Sequence, residues 1–139
     1  MPMADADHVT GLAPRAAVEA VLADGCGGSA TGLAIVICDV VGLKRVNEEQ
    51  GFLAGDAVLR MAADRLRAAA SGAVLQARLG GDELIAAFVG RDAGKQAARV
   101  AAALAADGLP PMRSAAGAAA ADEPLGPLIE RVYAGLRRS

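Results

Sequence analysis

The sequence predicts an α/β (α+β) fold in which a mixed central β-sheet is flanked by helices. Three observations lead there. Segments with helical periodicity alternate with short apolar runs along the chain. One run, Leu33-Ala-Ile-Val-Ile-Cys-Asp39, is apolar without interruption and rich in β-branched residues, the pattern of a strand buried on both faces. Two more runs flank Gly80-Gly81, which signals a hairpin. The length of 139 residues suits one domain. Residues 1–12 read as a polar lead-in and residues 13–139 as the domain.

Pro14 opens a helix over about 14–24, at a first-turn position where its missing N–H costs nothing. Gly25 to Thr31 is Gly- and Ser-rich, hence a loop, and it lacks the Lys-Ser/Thr ending of a P-loop. The strand at Leu33 follows and ends on Asp39. A short helix covers about 43–49, with a turn at Gly51. Over about 55–70, Val58, Ala62, Leu66 and Ala69 form one stripe, with Arg60, Asp64 and Arg67 opposite, so this segment is an amphipathic helix. Strands at about 73–79 and 83–89 make the hairpin. A helix over about 92–106 stops near Asp107-Gly108, before Pro110-Pro111. A weak strand at about 113–119 precedes a last helix over about 126–138, where Leu128, Val132 and Leu136 recur every four residues.

Composition bounds the rest. Hydrophobic residues make up 54% of the chain and aromatics only 2%, so the core is built from Ala, Val, Leu and Ile, and its elements must approach closely. A net charge of −2 argues against a nucleic-acid face driven by phosphate neutralisation. Cys26 and Cys38 make no disulfide framework, and Cys38 reads as a buried thiol. The one histidine, His8, excludes sites built from several His ligands. There is no basic segment followed by an apolar stretch at the N-terminus, and the longest apolar run, Leu33 to Val41, is too short to span a bilayer. The expectation is a cytoplasmic protein with no membrane segment.

Three motifs carry chemistry. They are Asp7-His-Val-Thr-Gly-Leu-Ala-Pro-Arg15; Asp39-Val-Val-Gly-Leu-Lys-Arg-Val-Asn47 with Gly51 and Gly55-Asp56; and Arg78-Leu-Gly-Gly-Asp-Glu-Leu84. Asp39 ends a buried strand and Asp82 lies in the hairpin turn. If those elements are neighbours, the two carboxylates converge and repel unless a cation lies between them. A hard cation, Mg²⁺ or Mn²⁺, fits few carboxylates completed by phosphate oxygens. Taken singly, either could be an ordinary strand-end or turn acid. Gly42, Leu43 and Lys44 open a short helix, whose N–H groups can bind phosphate, although Gly42 also fits a plain turn. Arg78 can orient the hairpin acid, meet phosphate, or form a surface ion pair. Gly80 and Gly81 serve the turn and leave it without side chains.

In order and spacing these motifs resemble the GGDEF family of diguanylate cyclases, over nearly the whole chain. The resemblance implies the nucleotidyl cyclase / polymerase palm fold and the condensation of two GTP into cyclic di-GMP and pyrophosphate by an at least transient homodimer. It assigns the metal to Asp39, the Val40 carbonyl and Asp82, guanine to Asn47 and Asp56, and an assisting role to Glu83, which could otherwise be an exposed strand residue. Asn47 could also be a plain helix C-terminal residue, and Asp56 an acid suited to a helix N-terminus.

This sequence departs from the family pattern in several places. Val41 stands for the second acid after Asp39, Pro14 for Asn, Glu48 for Asp, Phe52 for His and Leu84 for Phe. Leu136 stands where a basic residue for the triphosphate is expected, with Arg137 or Arg138 as substitutes, and the chain ends at Ser139 before the second such position. Ser71-Gly-Ala-Val74 replaces the R-x-x-D product site, so no inhibitory product site is expected. The chain has no room for a sensory domain, so an upstream sensory or regulatory protein would set dimerisation. The alternative is a weak or inactive relative that binds GTP or another protein, and a third possibility is a cyclase making another dinucleotide.

Overall fold

The structure, a computed structural model, describes residues 6–26 and 32–138. These form α1 (Arg15–Cys26), β1 (Leu33–Val40), α2 (Leu43–Gln50), α3 (Phe52–Ala69), β2 (Leu75–Arg78), β3 (Glu83–Val89), α4 (Ala93–Ala105), β4 (Met112–Ala118) and α5 (Leu125–Arg137). The expected order of helices and strands is observed throughout. Within the loop expected over 25–31, Gly25 and Cys26 belong to α1, and residues 27–31 lie outside the described residues.

The fold is α/β, as expected, but every strand pairing is antiparallel, in the order β2-β3-β1-β4. Alternation of helices and strands implied mixed strand directions. The reason for the difference is interleaving. The crossover through α2 and α3 makes β1 and β2 parallel, and that through α4 makes β3 and β4 parallel. Each parallel pair is separated by a strand of the other, the split βαβ arrangement.

β1 is central and buried along its full length. Its alternating side chains feed two cores. Ala34, Val36, Cys38 and Val40 face α3 and α4, packing with Leu59, Leu66, Val100 and Leu104. Leu33, Ile35 and Ile37 face α1 and α5, packing with Val18, Leu22, Leu128 and Val132. Cys38 is free and buried, and burial, with the charge of Asp39 adding to it, pushes its thiol up to about 12.

α3 begins three residues before the expected 55, because Gly51, with φ 91°, ends α2 and caps α3 with no loop between them. Gly55 lies inside the helix despite its poor propensity. That early start leaves Phe52 and Leu53 75% and 85% exposed. β2 is shorter than expected, since residues before Leu75 turn back on themselves through Ala73 N–H to the Ala70 carbonyl (2.9 Å). No described helix is long and apolar enough to cross a membrane.

Candidate functional site

The candidate residues gather where β1 ends, α2 begins and the β2–β3 hairpin turns. Gly42 takes a left-handed conformation (φ 79°) to pass from β1 into α2, and no atom lies near enough to crowd a side chain there. Conformation, not space, is therefore what requires glycine at this position. The turn places Leu43 in the core and leaves Lys44 exposed beside it. Leu43, Lys44, Asn47, Phe52, Gly55, Asp56, Leu59, Arg78, Gly81 and Asp82 line one cavity of about 350 Å³. Three separate stretches of sequence thus supply one pocket wall. Gly55 is what admits the Asn47 amide, because a Cβ at 55 would collide with Asn47 Oδ1.

The hairpin reverses over residues 79–82, with the Leu79 and Gly80 N–H groups both donating to the Glu83 carbonyl (2.8 and 3.3 Å). Arg78 holds this turn. It donates through Nε to the Gly80 carbonyl (3.3 Å) and through Nη2 to the Gly81 carbonyl (2.7 Å). Its Nη1 bridges to Asp7 at 3.1 and 3.3 Å. These contacts both hold the turn and form an ion pair. Asp7 in turn accepts from the Thr10 N–H and hydroxyl, both at 2.8 Å, and Thr10 and Leu12 are buried.

Burial pushes the Asp7 carboxyl upward, but the hydrogen bonds from Thr10 and Arg78 together outweigh it and hold the group below its ordinary value. A depressed folded pKa adds stability above the unfolded value of 3.8, and that stability is lost as pH falls through the folded value. Asp7→Asn should therefore lower Tm at neutral pH by about 2–5 °C, discounted for partial exposure. The gap to wild type should close in acid, below the unfolded value. Thermal melts across pH check this, and a gap unchanged in acid would refute it.

Asp39, the last but one residue of β1, faces Glu83 across one strand pair and Arg113 across the other. Its carboxylate is buried (5% exposed). Arg113 meets it with two parallel bonds, Nε to Oδ1 at 3.0 Å and Nη2 to Oδ2 at 2.6 Å. The Asp39 hydrogen bond, aided by its charge and by that of Asp82, raises the guanidinium pKa further. Val40 adjoins Asp39 at the strand end, its side chain in the core.

Asp82 and Glu83 are consecutive but line different cavities. Asp82 faces the 350 Å³ cavity. Glu83 lines a second cavity of about 240 Å³ with Arg15, Glu19 and Tyr133, and accepts a hydrogen bond from the Tyr133 hydroxyl (3.0 Å). Burial, a hydrogen bond to Asp82, and the charges of Asp82 and Asp39 push the Glu83 carboxyl above its ordinary range, against the pull of Tyr133. Gly80 permits this position, since a Cβ there would collide with Glu83 Oε1.

The donor set suits a hard cation. Asp39, Asp82 and Glu83 all carry carboxylate oxygens, the donor type a hard cation takes, and the charges of the first two act on Glu83. Among the described residues no three His, Cys, Asp or Glu side chains form a ready metal cluster, so the protein alone offers an incomplete shell.

Two features escaped the sequence reading. Arg113 was visible only as the start of a weak strand, and its register with Asp39 is tertiary. Tyr133 lies within α5, and no local pattern joins its hydroxyl to Glu83. On α5, Leu136 is a core residue (1% exposed), and Arg137 lies over the Tyr133 ring, 4.9 Å from its centroid.

Comparison with known proteins adds to this geometry. The family described as "Diguanylate cyclase, GGDEF domain" matches residues 4–119. A GGDEF domain of DgcB from Caulobacter crescentus, solved in complex with c-di-GMP, superposes with a TM-score of 0.84 at 23% identity, covering 98% of this chain and 90% of that one. A sensory box/GGDEF family protein from Caulobacter crescentus is 32% identical, with a TM-score of 0.74 and 97% of each chain covered. An uncharacterized signaling protein of Caulobacter vibrioides is 40% identical over 86 residues, 60% of this chain. This chain spans 11% of that relative's length.

Proposed function

Because the chain belongs to the GGDEF domain family of diguanylate cyclases, we propose that it condenses two GTP into cyclic di-GMP in a metal-dependent homodimer. One observation carries the reading: Lys44, Asn47 and Asp56 of the second motif and Asp82 of the third line one cavity of about 350 Å³.

Asp56 accepts from the N1–H and N2 amino edge of guanine, and the Asn47 amide both donates and accepts beside it. Adenine lacks that donor pair, so the same contacts select GTP over ATP. Gly42, Leu43 and Lys44 bring helix-start N–H groups and one ammonium to the phosphates. Asp39, the Val40 carbonyl and Asp82 would hold Mg²⁺ or Mn²⁺, which would neutralise the triphosphate charge and make the attacking hydroxyl more acidic. Glu83, held by Tyr133, sits beside these acids and assists them. Arg78 fixes the turn that carries Asp82. The 3′-oxygen of one GTP bonds to the α-phosphorus of the other as its bond to the bridging oxygen breaks, and pyrophosphate leaves. Each domain holds one nucleotide, so two must face each other, and the gain is positioning and charge stabilisation.

A second reading, a GTP-binding or protein-interaction module with little turnover, is favoured by the burial of Leu136 where the family carries a basic residue. Incubation with GTP and Mg²⁺ separates the two. Cyclic di-GMP formation supports the cyclase; tight GTP binding without product at high protein concentration leaves the module. Running ATP with GTP tests for another dinucleotide. Residues 71–74, Ser-Gly-Ala-Val, offer no charged pair for product, so added cyclic di-GMP should not inhibit through that position. Inhibition abolished by substitutions there would refute this. The protein acts in the cytoplasm, where GTP is found, under a regulatory partner that brings two copies together. The diguanylate cyclase SiaD of Pseudomonas aeruginosa, 21% identical with a TM-score of 0.79, was solved with its activator SiaC, an arrangement compatible with such a partner.

A further inference from the structure

Asp39 presents an unusual pairing for a residue read as a metal ligand. Its carboxylate is buried, and both of its oxygens are taken by Arg113 of the adjacent strand at 3.0 and 2.6 Å. Direct register between β1 and β4 fixes this opposition. The guanidinium keeps its charge at any accessible pH and forms forked bonds to carboxylates and phosphates alike. It is also half in solvent, with 41% of the side chain exposed. Nη1 makes none of the bonds to Asp39. The α5 position from which a basic residue would reach the triphosphate holds the buried Leu136, and Arg137 is drawn to the Tyr133 ring. The cation in direct contact with Asp39 therefore comes from β4.

Building on the cyclase reading, we propose that Arg113 is a further nucleotide-site residue of this chain: it holds Asp39 before nucleotide binds and turns onto the substrate phosphates when Asp39 is surrendered to the metal–GTP complex. The exchange conserves charge at Asp39, which passes from one cation to another. It also couples metal entry to nucleotide, since the freed guanidinium needs an anion and the phosphates supply one. Free metal without nucleotide must break both Arg113–Asp39 bonds with no phosphate to take the guanidinium, so metal alone should bind weakly.

Mn²⁺ titration followed by electron paramagnetic resonance, with no nucleotide present, reads the first half directly. Arg113→Ala and Arg113→Met should bind Mn²⁺ about tenfold tighter than wild type, by the scale of a lost charged competitor. With a non-hydrolysable GTP analogue and Mn²⁺, the same variants should bind the nucleotide about tenfold more weakly. Arg113→Lys, which keeps the charge but not the fork, guards against misfolding in the shorter variants and should fall between them and wild type in both assays. Unchanged or weakened Mn²⁺ binding in folded variants overturns the proposal, because a purely structural ion pair would lower Tm and leave metal affinity alone. Unchanged nucleotide affinity overturns it as well. Neither readout needs turnover, so failure of wild type to make cyclic di-GMP would count against the cyclase reading without deciding the role of Arg113.

Discussion

Asp82→Ala is expected to lower cyclic di-GMP formation about a hundred- to a thousandfold, the scale on which removal of one group that stabilises transition-state charge is felt. The size follows from its position. Asp82 is carried by the turn that Arg78 pins through the Gly80 and Gly81 carbonyls, so its carboxylate is aimed into the cavity that also holds Asn47 and Asp56. It belongs to neither core cluster. Its loss also relieves Glu83 of a neighbouring charge. Tm without metal should therefore be unchanged or slightly higher while product formation collapses. Melts and product assays on the same preparation check both. A variant that keeps more than about a tenth of wild-type turnover would place the metal elsewhere.

Gly55→Ala should weaken GTP binding about ten- to a hundredfold while leaving the fold intact or firmer. Gly55 lies inside α3 at an ordinary helical angle, where Ala is better by roughly 0.5–1 kcal/mol. The three atoms nearest its new Cβ would all belong to the Asn47 amide: the oxygen, its carbon and the nitrogen. The end of a side chain can swing aside cheaply, so the fold accommodates the methyl. The amide cannot swing aside and still face a base in the cavity, and a buried polar contact of this kind is worth about 1–3 kcal/mol. Guanine preference should fall with affinity, so GTP and ATP binding should be compared by calorimetry. A fall in Tm of several degrees with unchanged GTP affinity would refute the assignment of Asn47 to the base.

Helices α2, α4 and α5 and strands β1 and β3 follow local pattern, and the observed bounds lie within a residue or two of those expected. The departures come where local rules compete. The start of α3 was displaced because glycine ordinarily ends helices, whereas here Gly51 serves both neighbours at once. The strands' mutual directions were legible only in part, the Gly80-Gly81 hairpin making β2 and β3 antiparallel. Alternating helices and strands fix only that β1 runs parallel to β2, and β3 to β4. Which strand slots between them depends on long-range pairing.

The same division runs through the candidate site. The residue types and spacings of Asp39, Asn47, Asp56 and the hairpin at Gly80 come from the sequence by itself, as does the α/β class, because periodicity and turn chemistry are properties of neighbours in the chain. The tertiary structure alone decided that Asn47, Asp56 and Asp82 share a cavity, that Glu83 turns to Tyr133 instead, and that Arg113 grips Asp39. Strand register and helix packing bring together atoms far apart in the chain, 74 residues apart for Asp39 and Arg113, and no local pattern of residues records such a meeting. Burial then gives the contact its force, since a buried carboxylate must find a partner cation.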